Sequence, residues 1–186
     1  MTTGRIYLAG PDVFLPDAAD WLARKKAICA GLHLTGVSPL DTLPNQPACW
    51  SAVPEWRQIA LRNEAHIRSC AAIIANLTPF RGPSADAGTI YEVGFARGLG
   101  LKVFGYATVT APFLDRTLAA IGGGRQAADG SWWDADGMLV EQFGLFDNLM
   151  IEAGITSLIH EDADRWRDLS VFERCVQAAA AALANP

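Results

Sequence analysis

Two carboxylates six residues apart, Asp86 and Glu92, stand in the stretch Asp86-Ala-Gly-Thr-Ile-Tyr-Glu92-Val-Gly-Phe-Ala96. A helix over Gly88 to Leu99 puts Gly88, Glu92, Phe95, Ala96 and Leu99 on one stripe, so Glu92 points toward packed side chains. A buried carboxylate is costly unless it is paired or takes up a proton. No Lys or Arg lies three or four residues from Glu92, and the nearest, Arg97, is five on. Free N–H groups at a helix start favour an ionised carboxylate in the first turns, so Glu92 is expected to stay charged at neutral pH while poorly solvated. That combination suits a carboxylate nucleophile, against a plain alternative in which Glu92 is solvated or bonded to a core tyrosine.

Asp86 stands at the loop–helix junction, where an aspartate is either an N-cap or a second carboxyl that handles a leaving group's proton. Two carboxyls in different surroundings are what glycosidic-bond chemistry uses. Tyr7 is the phenol on the first strand. It is read either as a half-buried strand aromatic or as the group that fixes Glu92 by a hydrogen bond. Phe14 and Phe80 fall in loops at the mouth of the expected pocket, where a planar base could stack. Arg81 reads as an anion contact or an ordinary surface residue.

These residues need a frame. The runs Arg5–Ala9, Leu32–Pro39, Cys70–Leu77, Lys102–Tyr106 and Thr156–His160 read as strands. They alternate with helices over 18–30, 55–69, 88–99, 148–154 and 168–183, while 40–54 and 107–138 read as irregular. The long second segment is expected to be functional, a lid with Trp132 and Trp133 closing over the site. Alternation of this kind predicts one α/β domain over 1–186, a doubly wound parallel sheet with helices on both faces. Ligands of such sheets bind beyond the carboxyl ends of the strands, and the loops after Ala9, Pro39, Asn76 and Tyr106 meet at that edge.

Composition narrows the partners. The chain has 186 residues, is 51% hydrophobic and 19% charged, and carries a formal charge of −5. The negative balance, with no Lys/Arg cluster, argues against nucleic-acid polymers but leaves a single nucleoside or nucleotide open. No apolar run approaches the ~20 residues that span a bilayer. The four cysteines Cys29, Cys49, Cys70 and Cys175 lie far apart, read as reduced thiols and, with no visible leader, point to the cytoplasm. Dinucleotide, Walker and zinc-protease motifs are absent, so neither a metal nor an organic cofactor is expected.

Taken together, the segments Ile6–Phe14, Asn63–Ile67, Ala75–Asp86, Gly88–Ala96 and Phe146–Met150 resemble the nucleoside 2-deoxyribosyltransferases. The resemblance implies a flavodoxin-like, Rossmann-like fold and a cofactor-free enzyme of nucleoside salvage. It makes Glu92 the nucleophile on C1′ of a 2′-deoxynucleoside, with two displacements giving net retention. Tyr7 would position Glu92, and Asp86 would contact or protonate the base. Asn63 falls near the base, and Gly10, Asp12, Phe14, Phe80 and Gly88 join the substrate-binding set. Asn148 matches a residue that binds sugar hydroxyls, often from a neighbouring subunit. This implies a homo-oligomer, a dimer or trimer of dimers, with Leu149 and Met150 at its interface. Two other readings stay open. One is a nucleotide N-glycosidase that passes the sugar to water, for which Ser84 and Arg81 speak and against which Asp86 speaks. The other is a non-catalytic nucleotide-binding module.

Overall fold

A computed structural model describes residues 4–184; residues 1–3 and 185–186 of the expected domain lie outside the described residues. Five parallel strands form the main sheet: β1 (Gly4–Ala9), β2 (Leu34–Val37), β3 (Ala72–Asn76), β4 (Lys102–Ala107) and β8 (Ser157–His160). Their order is β2-β1-β3-β4-β8. The order reverses at β1, the switch point at which flavodoxin-like sheets open a crevice between neighbouring loops. Helices α1 (Ala18–Gly31) and α6 (Ser170–Ala184) cover one face; α2 (Glu55–Arg68), α3 (Ala87–Gly98) and the short α5 (Leu149–Glu152) cover the other.

The period of two along β1 decides which residue serves which face. Ile6 and Leu8 pack with Ile74, Phe104 and Phe172 under α1 and α6. Tyr7 and Ala9 point the other way, with Ile73, Ala75 and Val103, toward α2 and α3. Both faces are covered, so β3 reads as an unbroken apolar run, Ala72-Ile-Ile-Ala75, with every residue buried.

Residues 107–138 are not the irregular lid expected from the sequence. They hold helix α4 (Phe113–Ala120) and two strands of a small antiparallel sheet, β5 (Arg125–Gln126) and β6 (Trp132–Trp133), completed by β7 (Leu139–Val140). Two-residue strands are too short to show an alternation, and the polar stretches between them are tight turns. Asp129 accepts from the Ser131 N–H, and Asp134 accepts from those of Asp136 and Met138. Trp132 and Trp133 are half-buried in this sheet and do not line the cleft that holds Glu92.

Candidate functional site

The buried line of α3 is Thr89, Val93 and Ala96, one residue on from the expected stripe; Gly88 and Leu99 are exposed. Helical side chains lean toward the N-terminus, so the residues over the sheet follow those that the simple period picks. Glu92 therefore flanks the core, partly buried, and faces a cleft of about 340 Å³. That volume lies in the range of small-molecule sites. The cleft is walled by Gly10 and Phe14 after β1, Leu40 after β2, Ile59 and Asn63 of α2, and Asp86 before α3. A second lobe of about 250 Å³ continues past Glu92 toward Trp56 and Tyr91.

Tyr7, fully buried on β1, donates to Glu92 Oε1 at 2.7 Å, and Asn63 Nδ2 donates to the same oxygen at 3.3 Å. Both bonds fall on Oε1, and no described residue bonds Oε2. Burial pushes the Glu92 carboxyl up to about 7, with the nearby Asp86 charge adding to the rise and the Tyr7 and Asn63 donors opposing it. The expectation of a helix start that keeps Glu92 ionised is thereby corrected. Glu92 is the sixth residue of α3, beyond the first turn in which the end of the helix acts. Its two donors, rather than the helix terminus, favour the charge. Burial and the neighbouring Glu92 hold the Tyr7 phenol far above its ordinary range, so Tyr7 stays protonated and a donor.

Asp86 takes the N-cap role that its position suggested. Its Oδ2 caps α3, accepting from the Thr89 N–H at 2.9 Å and the Thr89 hydroxyl at 3.1 Å. The residue still lines the cleft. Gly88 lines it too, and Gly10 does so where nothing larger fits: a Cβ there would stand 2.6 Å from Asp12 Oδ2 and 2.7 Å from Asn76 Cβ. Phe14, well exposed, stacks on Phe80 with centroids 5.5 Å apart, and the Arg81 guanidinium lies over both rings. Phe80 itself does not wall the cleft. It is held between Phe14 and Trp166.

Asp12 departs from its expected place among the substrate contacts. It is buried, with Oδ1 accepting from Trp21 Nε1 at 2.9 Å and Oδ2 from Lys25 Nζ at 3.0 Å. Lys25, also buried, donates on to the Tyr106 hydroxyl at 2.8 Å and lies over the Phe172 ring. The network fastens the loop after β1 from beneath instead of reaching substrate. Ser84, which kept a phosphate reading open, gives its hydroxyl to Asp147 Oδ1 at 2.6 Å.

Asn148 does not meet Glu92 within one chain. It caps α5 through the Met150 N–H and donates Nδ2 to Glu141 at 2.7 Å. It borders a larger groove of about 710 Å³ on the opposite flank of α3, lined by Ile90, Val93, Arg97, Met150 and Ile151. No Asp or Glu lines that groove, whereas Asp86 and Glu92 both line the smaller cleft. The sequence reading passed over Arg62, which also lines the cleft beside Asn63. Nothing in its spacing separates it from the solvated basic residues of α2.

The profile of the family described as nucleoside 2-deoxyribosyltransferase matches residues 6–150 of this chain. The uncharacterized protein C191.05c of Schizosaccharomyces pombe is 29% identical over 160 residues, covering 81% of this chain and 76% of that protein. Among solved structures, the 2-desoxiribosyltransferase from Leishmania mexicana superposes with a TM-score of 0.65 at 30% identity. That match covers 94% of this chain and 97% of the other. A conserved protein from Enterococcus faecalis V583 superposes with a TM-score of 0.57 at 18% identity, covering 96% and 99%, a likeness of fold alone.

Proposed function

From the premise that this chain belongs to the nucleoside 2-deoxyribosyltransferase family, we propose that it transfers the 2-deoxyribosyl group between nucleobases through a covalent intermediate on Glu92. The observation that carries this reading is a carboxylate whose Oε1 is held by Tyr7 and Asn63 while Oε2 is left to the cleft. Attack by Oε2 on C1′ expels the base with the electron pair of the C1′–N bond. Attack by a second base on the same carbon frees Glu92, and two inversions return the original configuration. Asp86, at the rim with Oδ1 unbonded by any described residue, suits the proton that the departing base takes up.

Asn148 and the apolar groove extend the same reading. Met150 is 75% exposed beside a groove lined mainly by apolar residues. A second copy that covered this groove would bury Met150 and bring one chain's Asn148 to the sugar bound in another. The substrates are then 2′-deoxynucleosides and free bases, met in solution by a homo-oligomer. Cytoplasmic nucleoside salvage is the setting that this chemistry fits.

Incubation with 2′-deoxyinosine, with and without adenine, tests the transfer. Hypoxanthine is expected to appear only when adenine is present, from a species that elutes above the 19.9 kDa of one chain. Equal release without adenine would identify a hydrolase and overturn the proposal.

The pH profile offers an independent check. A nucleophile must be ionised, so kcat/KM is expected to rise with pH through about 7, where Glu92 loses its proton. Tyr7→Phe removes a donor that stabilises the carboxylate, and a hydrogen bond to a charged group is worth about 1.5–3 kcal/mol. The acid limb should therefore move up by roughly one to two pH units, with a larger loss at pH 6 than at pH 9. An unmoved limb in Tyr7→Phe would reject the positioning role.

A further inference from the structure

Arg62 and Asn63, neighbours on α2, both line the cleft, and each carries a buried polar atom, a donor and an acceptor, without a partner among the described residues. Arg62 Nε and Asn63 Oδ1 are both buried and unbonded, and Arg62 enters no ion pair among the described residues. Native chains rarely leave buried polar atoms unsatisfied, and two in sequence on a cavity wall call for a ligand. With Glu92 ionised, the Asn63 amide keeps this sense, because turning it over would set Oδ1 against the Glu92 oxygen that Nδ2 now meets.

The pairing of opposite senses identifies the ligand's chemistry. A phosphate group offers acceptors alone and would leave Asn63 Oδ1 empty, and Glu92 and Asp86 in the same cavity repel a dianion. The cleft also offers the apolar side chains of Phe14, Leu40 and Ile59, which suit a flat ring better than a polyol. A nucleobase edge carries a ring nitrogen or carbonyl acceptor next to an N–H donor.

We propose that Arg62 is the base-recognition residue of this site: its Nε–H donates to an acceptor on the nucleobase, while Asn63 Oδ1 accepts a neighbouring N–H of the same base. The inference rests on Glu92 as the nucleophile. As Oε2 bonds to C1′ and the C1′–N bond breaks, the electron pair spreads over the ring acceptors of the departing base. The guanidinium faces that growing charge without giving up a proton. The departing base takes its proton from Asp86 or solvent, and the incoming base gives one back as it attacks C1′. Arg62 thus does most for bases that leave poorly.

The test compares Arg62→Met and Arg62→Lys with the wild-type protein on pairs of donors of unequal leaving ability. The pairs are 2′-deoxyadenosine against 6-chloropurine 2′-deoxyriboside, and thymidine against 5-fluoro-2′-deoxyuridine. Arg62→Met is expected to lose about a hundredfold in kcat/KM on the ordinary base of each pair, the loss typical of one such donor. It should lose about tenfold or less on the more acidic base, with Arg62→Lys in between. Equal losses across each pair, no loss at all, or a loss confined to 5′-monophosphates would each overturn the assignment. Calorimetric binding of free adenine supplies a readout independent of turnover, expected to weaken at least about tenfold in Arg62→Met; unchanged binding also overturns it. Base exchange that survives Glu92→Gln would instead defeat the nucleophile and leave the binding result standing.

Discussion

Glu92→Gln is expected to reduce base exchange by roughly four orders of magnitude or more, the scale on which enzymes lose activity with their nucleophile. The amide keeps the volume of the side chain and can still accept from Tyr7 and Asn63, so the fold and the cleft should persist. It cannot supply an anionic oxygen to C1′. A 2′-fluoro-arabino nucleoside should add its sugar mass to the wild-type protein, with the adduct on Glu92, and add nothing to the variant. The same substitution is expected to stabilise the protein at pH 8. The Glu92 carboxyl has an ordinary value of 4.5 and is pushed up to about 7 in the folded chain. Between those values the unfolded chain binds fewer protons than the native one, so the contribution of Glu92 to stability falls as pH rises. It is fully present below about 4.5 and lost above about 7. Thermal melts should therefore show the gain in Glu92→Gln growing from pH 5 to pH 8. A variant that exchanged bases at an undiminished rate would remove Glu92 from the chemistry. A gain that did not grow with pH would remove the burial penalty.

The sequence showed Glu92 because a charge on an apolar helical stripe is an anomaly of one residue, visible without a partner. The same anomaly in α1 went unread. Trp21, Leu22, Lys25 and Cys29 share the buried side of that helix, and Lys25 is as misplaced there as Glu92 is in α3. Its partners Asp12 and Tyr106 come from two other segments, and sequence spacing carries no trace of such a meeting. The parallel sheet and its helices were legible because β3 and β4 are apolar on both faces and the helices keep their period. Residues 107–138 were not, since their order lies in turn chemistry and two-residue strands. The cleft was legible by its edge, at the carboxyl ends of the strands, but not by its walls. Arg62 differs from a solvated arginine only in what surrounds its Nε.

Asp12→Ala is expected to destabilise the protein by about 3–5 kcal/mol, the cost of leaving one member of a buried ion pair alone. The Lys25 side chain is 1% exposed and, among the described residues, has Asp12 as its only anionic partner, with Tyr106 as its other hydrogen bond. Without the carboxylate the ammonium stays buried against the rings of Tyr106 and Phe172, which cannot replace a charge. For a domain of this size, about 2–4 °C of melting temperature per kcal/mol places the loss at roughly 6–20 °C. The double variant Asp12→Asn with Lys25→Met should recover much of it, because removing both charges removes the penalty that either one alone incurs. A melting temperature within about 2 °C of wild type in Asp12→Ala, far below that range, would show that the pair is not what holds this region. The consequence for the site is indirect and separable. Asp12 is the buried second residue of the turn Pro11–Phe14, whose Val13 and Phe14, with Gly10 before it, line the cleft. Loosening that turn is expected to raise KM while the acid limb near pH 7 stays in place, since neither donor to Glu92 is touched. A substrate contact at Asp12 would instead lower activity in the still-folded protein without the melting loss. The two measurements together decide whether this carboxylate serves the fold or the ligand.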